Sequence, residues 1–259
     1  MAAGIPKEKA VEFIKMFGDM LRVGIPIDEM TYRRSLRDLE KDRTCSSISA
    51  IGFLHAVAGH IDKANQIFEA GLEEFDDISI PANHIFMLRM TRQDDLVKDK
   101  AYAYADRYAT KEMTRIAYSY AYQFGNVSGL MRYMDQHVKL LSDEEGRELA
   151  EKHKEELLSE LDDAYKTTGC TQEQFEHLAH AIAKVAKEYE ANIGLIEVSR
   201  NHNGCYIADI KNKDPKTIAE MNYSLAEVVC MDPLLDDCQL IGRFSPPRDL
   251  HSGVSYVNC

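Results

Sequence analysis

The sequence predicts an α+β chain: an N-terminal α-helical hairpin array followed by a small α/β unit with a β-hairpin. Three observations predict it. The stretch from Ile51 to Phe75, IGFLHAVAGHIDKANQIFEAGLEEF, carries two apolar faces joined by a Gly59-His60-Ile61-Asp62 turn. Apolar residues at three-and-four spacing form one buried stripe of a helix. Gly59 and Gly125 stand two steps of about 33 residues apart, a period typical of stacked helical hairpins. At Ile193 the period shortens from helix to strand, where IGLIEVS and CYIADIK flank Arg200-Asn201-His202-Asn203-Gly204, a good hairpin connection.

Taken in order, Ala10 to Val23 gives a helix with Phe13, Ile14, Phe17 and Leu21 on its face. Gly24-Ile25-Pro26 breaks it, and Asp28 is placed to cap the next helix. In the central stretch, the first helix buries Ile51, Leu54 and Ala58; the second buries Ala64, Ile67, Phe68, Gly71 and Leu72. Gly52, Ala64 and Gly71 are small enough to let the two helices approach closely. Pro81 to Met90 and Leu96 to Tyr108 form the next hairpin, then Lys111 to Phe124 and Val127 to Leu141. Ser142 to Glu145 reads as a capping box opening a long charged helix from Asp143 to Tyr165, and Thr171 to Gln174 as a second box. That next helix carries Phe175, Leu178, Ile182, Val185 and Tyr189 on its stripe. After the hairpin strands, Asp214-Pro215 starts a helix from Lys216 to Met231, and Cys238 to Phe244 reads as a third strand. The expected domains are 1–166, the helical array, and 171–259, the α/β unit with a C-terminal tail.

Composition narrows the function classes. The 259 residues suffice for a full core, and the apolar (45%) and charged (29%) fractions are those of a globular protein. No apolar run approaches the ~20 residues needed to span a bilayer, so no membrane role is expected. The first residues lack a secretory signal pattern, and the six cysteines are scattered without a Cys-x-x-Cys pair. Reduced thiols in a cytoplasmic protein are the expectation. A net charge of −12 without a long basic run argues against binding nucleic acid through its phosphates. An acidic surface fits a basic protein partner, or solubility alone.

The Ile51–Phe75 stretch, extended over 46–78, resembles a tetratricopeptide repeat. Ile51-Gly52 stands at that family's Leu-Gly pair, Gly59 at its turn glycine, Ala64 and Phe68 at its second-helix Ala and Phe, and Gly71-Leu72 at its Ala-Leu. His55 departs where an aromatic is usual, and Asp76 where proline is usual. Weaker units continue to 141. The resemblance implies a solenoid whose first helices line a concave groove for a peptide or helix of another protein. The family's phase puts Ser49, Phe53 and Val57 in that groove, then Phe86 and Arg89, then Arg115, Ser119 and Tyr122. Aromatic and arginine side chains often dominate interface energy. For Phe53 and Phe86 the alternative is core between repeats. The expected function is a non-catalytic adaptor, inhibitor or regulatory partner, without cofactor or metal.

The common nucleotide, hydrolase and zinc-protease motifs are absent. His177 and His180 have a spacing that could hold a metal, but no third ligand accompanies them, and a solvated face is expected. Glu197 on the first strand, then Asp209-Ile210-Lys211 at the end of the second, resembles the PD-(D/E)xK nuclease core over 197–211. There two carboxylates would hold a divalent cation and the lysine would orient the attacking water. A metal-dependent nuclease is therefore the alternative function. The alternation of charged residues equally marks a solvated strand face.

Overall fold

The computed structural model describes residues 7–200 and 202–248. The expected tail from 249 onward, and Asn201 of the hairpin connection, lie outside the described residues. The chain is α+β, with ten helices preceding a three-stranded sheet among the described residues. It gathers into two compact units, Met1–Tyr108 and Ala109–Cys259. The junction expected at 167–171 falls inside the second unit.

In the first unit, α1 (Lys7–Val23), α3 (Cys45–Val57) and α5 (Ser79–Met90) pack side by side. Behind them α2 (Glu29–Leu39) packs on α3, α4 (Ile61–Glu74) on α3 and α5, and α6 (Asp94–Tyr108) on α5. This is a two-layer array of paired helices. Its tightest joint lies between α3 and α4. A Cβ at Gly52 would stand 2.4 Å from the Phe68 ring, and one at Gly71 would stand 2.6 Å from Ile48. The two glycines thus let the helices interlock from both sides, with Ala64, Phe68 and Leu72 buried between them. The Asp28 carboxylate accepts the Thr31 N–H at 2.9 Å, capping α2 as its sequence position requires.

The first unit also buries two histidines. His55 is hydrogen-bonded to the Tyr32 hydroxyl at 3.0 Å. His84 lies between the Tyr104 hydroxyl (2.7 Å) and the Asn65 carbonyl (3.0 Å), stacked on Phe68. Burial lowers both pKa values to about 4, so both rings are neutral at pH 7.

In the second unit, α7 (Lys111–Gln123) and α8 (Val127–Leu140) form a hairpin, and α9 (Arg147–Thr168) packs on α8. The Ser142–Glu145 capping box is made, with the Ser142 N–H donating to Glu145 and the Glu145 N–H to Ser142. The helix nevertheless starts later than its sequence pattern indicates, at Arg147, because Gly146 takes a left-handed φ of 85° and turns the chain first.

α10 (Gln172–Glu188) supports the sheet formed by β1 (Ile193–Val198), β2 (Cys205–Ile210) and β3 (Ile241–Ser245). β1 and β2 are antiparallel, with Val198 opposite Tyr206; β2 and β3 are parallel, joined through α11 (Pro215–Cys230). A Cβ at Gly242 would stand 2.8 Å from Leu178 of α10, so the sheet lies close on that helix. Tyr206 packs on Phe175 from the same face.

Exposed sheet edges invite pairing with other chains. Here side chains blunt both. Asn222 donates to the Phe244 carbonyl and accepts its N–H, at 3.0 and 2.8 Å, along the outer edge of β3. The Tyr122 hydroxyl accepts the Val198 N–H at 3.0 Å along the outer edge of β1.

Candidate functional site

Side chains alternate across a strand, so the face of β1–β2 turned away from Tyr206 carries Glu197, Ile207 and Asp209. Glu197 pairs with Ile207 in the register, which makes Asp209 its diagonal neighbour on the adjacent strand. Both carboxylates are buried, at 7% and 3% exposure. Two buried like charges need a cation. Arg248 supplies it. The chain leaves β3 at Ser245, opposite Asp209, and Pro246 and Pro247 carry it to Arg248. Arg248 Nε donates to Asp209 Oδ1 at 2.9 Å and its backbone N–H to Asp209 Oδ2 at 3.4 Å. Nη1 donates to Glu197 Oε1 at 3.3 Å. Burial works against the Arg248 charge, but the hydrogen bond and charge of Asp209, with the charge of Glu197, outweigh it and raise its pKa.

The surroundings of this face are polar too. The Tyr122 hydroxyl donates to Glu160 of α9 at 2.5 Å. Burial, then the Glu160 charge, pushes the Tyr122 pKa well up. Burial also raises Glu160, against the pull of the Tyr122 hydrogen bond. Asp163, one turn further along α9, clamps the hairpin turn: Ser199 Oγ donates to it at 2.5 Å, and His202 Nδ1 is hydrogen-bonded to it. The Ser199 bond, then the His202 bond, holds Asp163 below the usual carboxylate range. A shallow depression of about 470 Å³ on α9 is lined by Lys152, Glu155, Glu156, Ser159 and Glu160.

The residues proposed from the sequence fall into separate places. Glu197 and Asp209 meet on one face. Lys211 lies just beyond β2, exposed, with its stem against Gly194. Of the groove set, Ser49, Phe53 and Val57 are buried in the array, and Phe53 packs on both Phe68 and Phe86. Tyr122 is buried against the outer edge of β1. Phe86 and Arg115 are half-buried, and Arg89 and Ser119 are exposed. Arg22 covers the Phe86 ring with its guanidinium 5.1 Å from the centroid. His177 is hydrogen-bonded to Asp232 at 2.9 Å, and His180 packs on Phe124. Among the described residues no group of three or more His, Cys, Asp and Glu could hold a metal ion.

Sequence reasoning missed Arg248, Glu160 and Asn222. A signal for Arg248 existed: two acidic residues brought to one strand face require a cation from elsewhere in the chain. Comparison of the chain with protein-family models, with curated proteins and with solved structures gives no match in any of the three.

Proposed function

We propose that the chain is a non-catalytic protein-binding partner, an adaptor, inhibitor or regulator that engages another protein through its helical array. The observation that supports this most directly is the outer side of α5 and α1. There Phe86 lies half-buried under Arg22, with exposed Arg89 and Met90 one turn further along α5. Aromatic, arginine and methionine side chains gathered at a surface are the types enriched at interfaces. In the second unit Arg115 and Ser119 offer a smaller polar surface on α7. Arg22 and Arg89 present cations to acidic groups of the partner's contact patch, so this surface is opposite in sign to the chain's net charge of −12. No described helix is long and apolar enough to cross a membrane, and a cytoplasmic setting fits this role.

Affinity capture with the wild-type chain and with Arg89→Glu and Arg115→Glu tests the proposal. Reversing the exposed Arg89 changes folding energy little, and reversing the half-buried Arg115 more, whereas at an interface each sets a like charge against acidic partner groups. The expected result is loss of the partner, at an unchanged melting temperature for Arg89→Glu. Normal capture by both variants, with loss on deleting residues 245–259, would move the binding site from the helical array to the C-terminal α/β part of the second unit. The nuclease alternative draws less support, since the two carboxylates are engaged by a guanidinium and Lys211 stands exposed beyond the strand. Metal-dependent cleavage of plasmid that disappears in Asp209→Ala would restore it.

A further inference from the structure

We propose that the Glu197–Asp209 face is an arginine-binding site, filled in cis by Arg248, whose external ligand is an arginine on an extended basic segment of a partner. This goes beyond the array as a binding surface and uses none of its residues.

Three observations carry it. The first is the recognition pattern. Asp209 takes the side-chain Nε with one oxygen and the backbone N–H of the same residue with the other, at 2.9 and 3.4 Å, while Glu197 takes Nη1 at 3.3 Å. The carboxylates therefore read a guanidinium together with the peptide that bears it. Lysine, a point charge without the planar fork, cannot reproduce these contacts.

The second is that the resident arginine fits incompletely. Glu197 Oε2 is buried and accepts no hydrogen bond, and Arg248 Nη2 is buried and donates none. Arg200 Nη1 stands 3.8 Å from Glu197 Oε2, within ion-pair range but too far for a hydrogen bond. Pro246 and Pro247 fix two φ angles directly before Arg248, which limits how far it can reorient. An arginine arriving on an independent backbone is free of that constraint and can bring both Nη groups to Glu197. Buried unpaired donors and acceptors are costly, so the exchange relieves both.

The third is access. The Arg248 side chain is 27% exposed although its two acceptors are buried, and Pro246 and Pro247 are exposed. The resident segment thus lies at the mouth of the site. Two carboxylates alone make a poor metal cage, and the described residues bring no third ligand.

The experiment uses the full-length chain, wild type and Arg248→Ala, with a blocked, proline-free basic peptide Ser-Ala-Ala-Arg-Lys-Leu, its counterpart with lysine in place of arginine, and Mn²⁺ as probes in calorimetric titrations. Because a site occupied in cis binds an external ligand with its intrinsic affinity multiplied by the vacant fraction, Arg248→Ala should bind the arginine peptide at least about tenfold more tightly than wild type. The lysine peptide should bind at least about tenfold more weakly, and Asp209→Asn combined with Arg248→Ala should bind neither. Equal binding by wild type and Arg248→Ala, or binding by neither, overturns the proposal. So does uptake of Mn²⁺ by Arg248→Ala that the arginine peptide does not displace, which would assign a metal site instead. Should Arg248→Ala not fold, hydrogen exchange on the wild type decides: millimolar arginine peptide should speed exchange at the Arg248 N–H, and unchanged exchange refutes the idea.

Discussion

The two units bury polar groups of different kinds. Among the described residues of Met1–Tyr108 the buried polar ones are Ser35, Ser47, Ser49, His55 and His84, all neutral at pH 7. In Ala109–Cys259 they include Glu197 and Asp209, which with Arg248 form a cluster of charges on one sheet face. Neutral groups with partners, as His55 and His84 have, cost little to bury and help to specify how helices meet, and even the unpartnered Ser49 hydroxyl costs less than an unmatched charge. Charges cost several kcal/mol each to desolvate, and ion pairing recovers that only with good geometry. The geometry here leaves an oxygen and a nitrogen unmatched. The difference teaches that the first unit is built chiefly for packing, while the second retains something that packing alone would discard.

The largest effect should appear in the first unit. Phe68→Ala removes a fully buried ring and should cost ~3–5 kcal/mol in denaturant unfolding. Gly52→Ala should cost ~1–3 kcal/mol through overpacking, since its Cβ would strike that same ring. In the Phe68→Ala background the Gly52→Ala penalty should nearly vanish, and a double-mutant cycle reads this coupling. Additive costs would mean that the two helices do not interlock at this point.

Arg248→Ala should cost up to about 3 kcal/mol, the low end for a broken buried pair because its side chain is 27% exposed. Unlike the loss at Phe68, this one should be reversible by charge. Adding Glu197→Gln and Asp209→Asn should return most of the stability, measured in the same unfolding series. No recovery would show that Arg248 acts by packing, and the contrast between the units would weaken.

Acid should separate the histidine-bearing helices from the β1–β2 hairpin by a smaller effect. His55 and His84 have folded pKa values of about 4, below their ordinary 6.5. The unfolded chain therefore binds protons first, so their contribution is complete above pH 6.5 and declines as pH falls toward 4. His137 and His153 of the second unit are lowered by burial in the same direction, so both units lose stability there. Asp163 is held below its ordinary 3.8, and its contribution persists until the pH falls under that value. Hydrogen exchange from pH 7 to 4.5 should show α3 and α5 opening more steeply than the β1–β2 hairpin. His55→Gln with His84→Gln should flatten the slope in α3 and α5.

Much of the fold was legible in local pattern. Gly52, Ala64 and Gly71 announced the close α3–α4 joint, Asp28 the cap of α2, and the change of period at Ile193 the hairpin. The start of α9 was displaced because a capping box can close a turn before Gly146 without continuing into helix. The candidate site was less legible, for two physical reasons. α3 carries no Asp, Glu, Lys or Arg over its 13 residues, a composition that marks a helix buried on all sides. Repeat phase alone had assigned its Ser49, Phe53 and Val57 to an open groove. The carboxylate–arginine cluster joins residues 39 and 51 positions apart, a separation invisible to periodicity.

The most direct test of the central claim replaces the charged cluster with apolar residues of similar size: Glu197→Met, Asp209→Leu and Arg248→Met together. If the cluster is kept for recognition rather than stability, the triple variant should unfold within about 1 kcal/mol of wild type, or later, as apolar replacements of buried ion pairs can. It should also fail to bind the arginine peptide. A loss of more than about 3 kcal/mol would contradict the account, because the charges would then be holding the sheet together.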